Sequence, residues 1–518
     1  YPDGTFGGKR AMTRYEFAVA IARLLPLLNG DTVISNDVDL SGYAKKSDIP
    51  AFSGASKGDL DALRKLVGEF GDELASLGVD VDALKRDVAN LTARVEALEA
   101  ENRRVRFTGD FFAGVYATRG NGSDYDGFNL NGAGNIDNNL LDNVTVYKNF
   151  DLNIVGRASD KVTVYSTVNY GDYLGGLAGL GNDDQFYPTY LYAVADMGKT
   201  TITAGRFPLQ WTPYTMKRAD LDSYVNYSVT DDGNYALDGI KADFAFGKAF
   251  NLNLFAAKND QNRYEMDDFY FDYNAGIPSA YTQSAGARAA FSLGKVDLGA
   301  SYMESWMSGA APFDKNKVYG ADLKVPFGSF CLGGEYAKSK VSGIGLTDND
   351  AWEAGLGYGC CTDSKLNLKV GYREIGPNFR SAGNWTKVGN IFNPTDIKGW
   401  FADAAYDFGS FSLYGGFRNY EPALTGFAGD LKGMTAGLKF NIGSKSSLQG
   451  EYEKAETDGY YRNSYGFTPV ESTYWTFAYN YRFNPQANLR FGYQMIKDDL
   501  GVLTNKGGVA FAQFAVSF

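Results

Sequence analysis

Residues 474–483, with the sequence YWTFAYNYRF, carry the pattern that decides the fold. Aromatic side chains occupy every second position from Trp475 to Phe483, and polar residues such as Thr476 and Arg482 lie between them. A period of two indicates a β-strand with one apolar face and one polar face. The same alternation recurs in residues 366–373, 448–453, 488–494 and 511–518.

Composition limits where the apolar face can lie. Phe, Tyr and Trp make up 15% of the 518 residues, yet the mean hydropathy is only −0.29. This combination suits a sheet with one apolar face better than a packed globular interior. No stretch approaches the roughly 18 apolar residues of a membrane-spanning helix, so a membrane protein with this sequence must be a closed barrel.

The lengths of the connections favour the membrane barrel over a soluble sandwich. Short turns, such as those at Gly198-Lys199, Gly294 and Gly443-Ser444, alternate with long polar loops. One short rim and one long rim are typical of outer-membrane barrels. We therefore predict a mainly β fold, a transmembrane antiparallel β-barrel of about 20 strands (16 to 20) over residues 106–518. The long loops are predicted near residues 119–145, 174–186, 208–235, 259–284, 375–395 and 456–470.

The first hundred residues have a different organisation. Residues 1–30 indicate a turn and a helix, and residues 31–58 indicate a polar linker. Across residues 59–105, apolar side chains recur at steps of three and four for about six heptads, which predicts a coiled-coil stalk of roughly 65 to 70 Å. A single amphipathic helix packed on a globular domain is rarely this long or regular. Val at one seam position and Leu at the other favours two strands.

Charge and residue types exclude several functions. The net charge is −11 and basic residues are not clustered, so nucleic acid is not expected as a partner. The chain has no His, which excludes Ser-His-Asp chemistry, and we predict that it is not an enzyme and has no resident cofactor. Strand parity predicts a disulfide between Cys331 and Cys361, with Cys360 as the less favoured partner.

The polar faces predict what lines the channel. The loop from 208 to 235 is predicted to fold inward and narrow it, with an acidic loop opposing a basic wall and selecting solutes by charge and size. Ordinary lumen residues solvated by channel water are an equally good interpretation. The predicted basic wall residues are Arg206, Lys369, Arg373, Arg418, Lys439, Arg482 and Arg490, and the acidic loop residues are Asp220, Asp222, Asp231 and Asp232. Trp211, Tyr214 and Tyr224 are candidates for sugar contacts.

An acidic loop at residues 259–284 is a weaker candidate for a site. Asp267 and Asp268 belong to a group of carboxylates that could bind Ca²⁺ through oxygen ligands. A solvated acidic loop is the favoured interpretation, and Ca²⁺ binding is the alternative.

Two motifs carry a family resemblance. Residues 1–6 (YPDGTF) and 12–18 (MTRYEFA) resemble the second half of an S-layer homology (SLH) domain, with Tyr15 where the family usually has Ala. The C-terminal Phe518 resembles the terminal strand signal of bacterial outer-membrane proteins. The whole chain is similar to the SLH-domain outer-membrane porins of diderm bacteria such as cyanobacteria and relatives of Deinococcus and Veillonella.

The resemblance implies a function that the patterns alone do not give. It implies that Gly4, Thr13, Arg14 and Glu16 belong to a site for peptidoglycan or its secondary polymer, although Thr13 and Glu16 also form a helix capping box. It implies an outer-membrane porin for small hydrophilic solutes and ions, with the N-terminal module and stalk in the periplasm. SLH repeats commonly work in threes, so we choose a homotrimer. The alternative is a mainly structural envelope protein with a plugged barrel.

Overall fold

A computed structural model of the chain describes residues 65–70, 72, 81–102, 104–120, 144–173, 184–218, 232–259, 281–306, 314–343, 345–360, 364–389, 391–424, 429–458, 471–499 and 504–518. The chain divides into two compact units, Tyr1–Arg106 and Phe107–Phe518. The boundary lies within a residue of the predicted start of the barrel.

The second unit is a closed antiparallel sheet of 20 strands, which confirms the predicted barrel and strand number. Its first strands are β1 (Val105–Gly120), β2 (Val144–Ser159), β3 (Val162–Gly171), β4 (Gln185–Asp196), β5 (Thr200–Leu209), β6 (Tyr235–Phe246), β7 (Phe250–Asn259), β8 (Gln283–Leu293), β9 (Val296–Trp306) and β10 (Lys315–Phe327). They continue as β11 (Phe330–Val341), β12 (Asp350–Tyr358) and β13 (Leu366–Ile375), and, after a short hairpin of β14 (Lys387–Val388) and β15 (Ile391–Phe392), as β16 (Ile397–Asp407), β17 (Phe411–Glu421), β18 (Leu431–Ile442), β19 (Ser446–Thr457), β20 (Glu471–Asn484), β21 (Ala487–Asp499) and β22 (Thr504–Ser517).

The first and last strands close the barrel. β1 pairs with β22 over eleven residue pairs, from Asp110 opposite Ser517 to Gly120 opposite Gly507. Both ends of the sheet therefore lie at the same rim, as an even number of strands requires. At this rim, two-residue or three-residue turns join most neighbouring strands. Gly294 and Gly328 adopt φ values of 69° and 60° in such turns, a left-handed conformation that glycine adopts without strain.

The two faces of the strands differ as the alternation predicts. In β20, Trp475 and Phe477 are 45% and 49% exposed, whereas Thr476 and Ala478 between them are only 3% and 4% exposed. The exposed apolar rows form the outer face, and the opposite rows face the lumen. Because the outer face carries the large apolar side chains, it is the face that hydrocarbon can cover.

The first unit contains the helix α1 (Val81–Asn102), which lies inside the predicted stalk. Val67 and Val88, two of the predicted seam positions, are each 1% exposed. Within the residues described, no helix is long and apolar enough to cross a membrane. The coiled coil itself, and its number of strands, stay predictions, and the residues of the SLH-like motif lie outside the described ranges.

Candidate pore constriction

A chain segment from the long-loop rim enters the lumen after β5. This first inward segment (residues 210–218) turns back on itself through a hydrogen bond from the Trp211 backbone N–H to the Met216 carbonyl, 2.7 Å. The Tyr214 backbone N–H donates to Glu335 on the wall, 2.9 Å. Tyr214 and Met216 are almost completely buried. The prediction that this loop folds inward therefore agrees with residues 210–218, the part that the structure describes.

A second segment also folds into the lumen, which the sequence analysis did not predict. This second inward segment (residues 376–396) includes the β14–β15 hairpin. Its Trp385 ring stacks parallel to Tyr214 of the first segment, with 6.1 Å between ring centroids. The two segments also pair directly through a parallel bridge between Met216 and Ala382.

Apolar side chains hold both inward segments against the wall. One buried cluster joins Met216 and Ala382 to Phe207, Leu237 and Phe255 on strands β5 to β7. A second cluster packs Tyr214 and the second segment against strands β11 to β19. Burial of large apolar side chains is favourable by about 1.5 to 3 kcal/mol each, so these contacts fix where the segments lie. The members of the second cluster from that segment are Phe379, Trp385, Val388 and Ile391.

The carboxylate of Glu353 on β12 forms polar contacts both with neighbouring wall residues and with the first inward segment. Arg373 donates to its carboxylate at 2.7 Å, Lys369 at 3.2 Å and the Tyr214 hydroxyl at 3.3 Å. Burial raises the pKa of the Tyr214 phenol well above its usual value, so this hydroxyl stays protonated and remains a donor.

Arg373 connects the wall to the second inward segment. Its guanidinium, besides its bond to Glu353, donates to the Trp385 carbonyl at 3.0 Å. The guanidinium also lies over the Phe401 and Tyr420 rings, at 4.6 and 5.8 Å from their centroids. Because Arg373 is only 4% exposed, these contacts replace its hydration shell.

Other wall cations are paired with carboxylates on nearby strands. Arg288 forms two hydrogen bonds to Asp322, at 2.7 and 2.9 Å. Arg418 donates to Asp403 at 2.7 Å. The sequence analysis named Arg418 but none of the acidic partners, because the relative stagger of two strands cannot be read from either strand alone. At these positions the basic side chains are paired with carboxylates of the wall itself, whereas we predicted that acidic residues of the loop would oppose them.

The structure places the remaining predicted lumen residues at different positions. Three of them lie in lumen rows, namely Lys439, Arg482 and Arg490. Their neighbours in the chain, Leu438, Phe483 and Phe491, face outward. The three basic residues are on three strands, and the structure does not bring them to the Glu353 cluster.

Arg206 does not lie in the lumen row that we predicted for it. In register it is opposite Leu191 and Asp238, and Leu191 is 53% exposed on the outer face. The Arg206 guanidinium bonds to Asp238 at 2.9 Å and to the Tyr187 hydroxyl at 2.5 Å. The alternation of β5 accounts for this position, because Thr203 and the buried Phe207 and Leu209 occupy the lumen row and Arg206 lies in the other row.

Several predicted sites lie outside the described residues. They are Gly4, Thr13, Arg14, Glu16, Asp220, Asp222, Tyr224, Asp231, Asp267, Asp268 and Cys361. Asp232 is described, and its carboxylate lies 3.5 Å from the Tyr190 hydroxyl. Among the residues that the structure describes, no group of three or more Asp, Glu or Cys side chains is placed to hold a metal ion.

The cysteines can be placed only in part. Cys331 is buried on the lumen face of β11, opposite Gly357. The Cys360 Sγ lies 3.0 Å from the position that a Cβ on Gly357 would occupy. Cys331 and Cys360 are therefore near the same point of the wall, and the disulfide stays a prediction.

Known proteins similar to this chain point to the same architecture. Residues 256–510 match the family model of the β-barrel domain of the S-layer protein SlpA. Outer membrane protein SlpA of Thermus thermophilus is 37% identical over 107 residues, and that of Deinococcus radiodurans is 38% identical over 107 residues. These alignments cover 20% and 19% of this chain but only 10% and 8% of the relatives, so the chain spans about a tenth of their length.

Solved structures of low sequence identity also align with this chain. Pseudomonas aeruginosa OpdL aligns with a TM-score of 0.47 and 13% identity, over 80% of this chain and 98% of OpdL. P. aeruginosa OccK11 (OpdR) aligns with a TM-score of 0.47 and 10% identity, over 80% of this chain and 97% of that protein. Residues 256–510 of this 20-stranded barrel are therefore similar to the β-barrel domain of the S-layer protein SlpA, and part of the chain is similar to outer membrane proteins of that name.

Proposed function

We propose that the barrel is a porin for the passive diffusion of small hydrophilic solutes and ions. The observation that carries this proposal is the contrast between the exposed apolar outer rows and the polar lumen rows, where charged pairs such as Arg373–Glu353 line the wall. Charged side chains that face each other across a narrowed lumen discriminate solutes by charge and size.

The arrangement of the inward segments supports an open path beside them. Their described contacts are mainly with the wall from β5 to β19, whereas β22, β1, β2 and β3 carry a polar network on the part of their lumen face that includes Asp110 and Asn153. In that network Ser517 and Asn153 donate to Asp110, at 2.6 and 3.3 Å, and Thr167 donates to Asn153 at 2.7 Å. Solutes would pass between this polar wall and the inward segments.

Conductance tests the proposal directly. The purified chain, reconstituted into planar bilayers in KCl, should give discrete steps of current, and liposomes that contain it should swell in solutions of small sugars. The boiled, unfolded protein is the control. Absence of current steps and of swelling from correctly folded protein would contradict the porin proposal.

We also propose that the N-terminal module tethers the outer membrane to peptidoglycan or to its secondary polymer. This role rests on the resemblance of residues 1–28 to half of an SLH domain. The full chain in detergent should sediment with isolated cell wall, and Arg14→Ala should abolish this binding. Arg10→Ala, four residues earlier in the chain, is the matched control and should bind as the unchanged protein does.

The assembly and orientation are part of the same proposal. We infer a homotrimer, because SLH repeats commonly act in threes, and we place the short-turn rim and the N-terminal unit on the periplasmic side. Native mass spectrometry of the detergent-solubilised chain should give three copies. A stable dimer would agree instead with the Val and Leu pattern of the stalk.

A structural envelope protein with a plugged barrel is the second candidate. The two buried clusters that pack the inward segments against each other and against the wall favour it. The planar-bilayer measurement separates the candidates, because a plugged barrel conducts no ions while wall binding persists.

A further inference from the structure

A polar pocket opens on the lumen face near the short-turn rim, away from the Glu353 cluster. It lies between β2, β3, β4 and β5, is open on one side and has a volume of about 420 Å³. Thr163 and Tyr165 of β3 line it, in the lumen row that continues to Thr167 of the polar network. Tyr170, on the opposite face of the same strand, is 50% exposed.

The pocket has a rigid aromatic wall. The Tyr165 ring stacks on Tyr192 of the neighbouring strand, with 5.0 Å between centroids and 15° between ring planes. The two tyrosines are directly opposite each other in register, so the backbone pairing fixes the stack. Because the Tyr165 ring is already held in place, a ligand that packs on its flat apolar surface causes little further loss of side-chain entropy.

The charged side chains that line the pocket around the Tyr165 ring have a net charge of zero. Arg157 and Lys161 contribute two positive charges, and Asp160 and Asp196 contribute two negative charges. An anion would meet the two carboxylates and a cation would meet the two basic groups, whereas a neutral solute that both donates and accepts hydrogen bonds can use all four. Thr163 and the nearby Thr201 add hydroxyl groups, which also donate and accept.

We propose that this pocket is a binding subsite for a neutral polyhydroxylated solute of monosaccharide size. The C–H face of the sugar ring packs on Tyr165, and its hydroxyls bond to the charged groups and threonines at the rim of the pocket. A volume in the range of known small-molecule sites supports this size class. The inference deepens the proposed porin function, because it names a solute class for the path along β2 to β5.

Binding can be measured independently of conductance. Saturation-transfer NMR on the full chain, in a detergent without a sugar headgroup, would compare D-glucose with D-glucosamine and D-glucuronate, which share its ring but carry one charge. We expect magnetisation transfer to glucose, and weaker transfer to both charged sugars. Tyr165→Leu should reduce the glucose affinity at least fivefold, and the matched control Tyr170→Leu, on the outer face, should leave it unchanged.

The outcomes separate this inference from the porin proposal. Glucose binding that is lost in Tyr165→Leu supports the subsite even if the barrel carries no current. A conducting barrel that shows no glucose transfer, or that prefers either charged sugar, overturns the subsite and leaves the porin proposal standing. Should Tyr165→Leu fail to fold, as judged by heat-modifiable electrophoretic mobility, Thr163→Val tests the same pocket and should weaken glucose binding.

Discussion

Replacing Arg373 tests whether the wall holds the second inward segment in place. The guanidinium of Arg373 bonds to Glu353 at 2.7 Å and to the Trp385 carbonyl at 3.0 Å, and both Arg373 and Glu353 are largely buried, with side chains 5% and 19% exposed. In Arg373→Met the apolar volume is kept while the charge and both hydrogen bonds are lost.

The contacts that remain set the expected magnitude. Breaking a buried ion pair by removing one partner costs about 3 to 5 kcal/mol. Glu353 keeps Lys369 at 3.2 Å and the Tyr214 hydroxyl at 3.3 Å, so the lower end of that range applies. The Trp385 carbonyl also loses its donor, which adds about 1 kcal/mol. We expect the free energy of unfolding to fall by about 3 to 4 kcal/mol, two to three orders of magnitude in the folding equilibrium.

Two measurements would establish the effect. Urea unfolding of the reconstituted barrel, followed by tryptophan fluorescence, gives the free energy, and limited proteolysis should cleave residues 376–396 faster in Arg373→Met. Arg482→Met is the control: this lumen arginine is exposed near a short turn, and its loss should change stability by no more than about 0.5 kcal/mol. If the two variants unfold alike and the segment stays protected, Arg373 does not fasten it and the reasoning is wrong.

Three further outcomes follow from positions on the barrel. Leu438→Arg, on the outer face near the middle of β18, should lower the free energy of unfolding in lipid by about 2 to 4 kcal/mol, whereas Lys439→Leu in the adjacent lumen row should have a much smaller effect. Met216→Ala should cost about 2 to 5 kcal/mol in the same urea assay, because Met216 is completely buried between the two inward segments. Peptide mass spectrometry without reduction should find Cys331 linked to Cys361, and three free thiols would refute the disulfide.

The barrel was predictable because its signal repeats in every strand. An alternation such as Trp475, Thr476, Phe477 reports which face each side chain takes, and a one-residue slip would reverse both faces at once. The alternation therefore also predicted the lumen row in which Lys369, Arg373 and Arg418 lie. The prediction was wrong at Arg206, because the lumen row of β5 is taken by the neighbouring Phe207 and by Leu209, which pack against the first inward segment.

The constriction was predictable only in part, because its contacts are long-range. Phe379, Trp385 and Ile391 are isolated apolar residues among Gly, Pro and Asn, and no period in that stretch indicates that they are buried. Their burial depends on a wall assembled from strands far along the chain. The acidic partners were missed for a related reason, since the pairing of Arg418 with Asp403 depends on a register that loop lengths do not reveal.

The dependence of both inward segments on Glu353 explains how loops can form a defined constriction. The first segment reaches Glu353 through the Tyr214 hydroxyl, and the second reaches it through Arg373, which holds the Trp385 carbonyl. Glu353 itself sits on β12, between hydrogen-bonded neighbours in β11 and β13, so its position is fixed by the sheet. Two loops that would otherwise move independently therefore share one anchor on a rigid strand, and the geometry of the constriction follows from the barrel rather than from the loops.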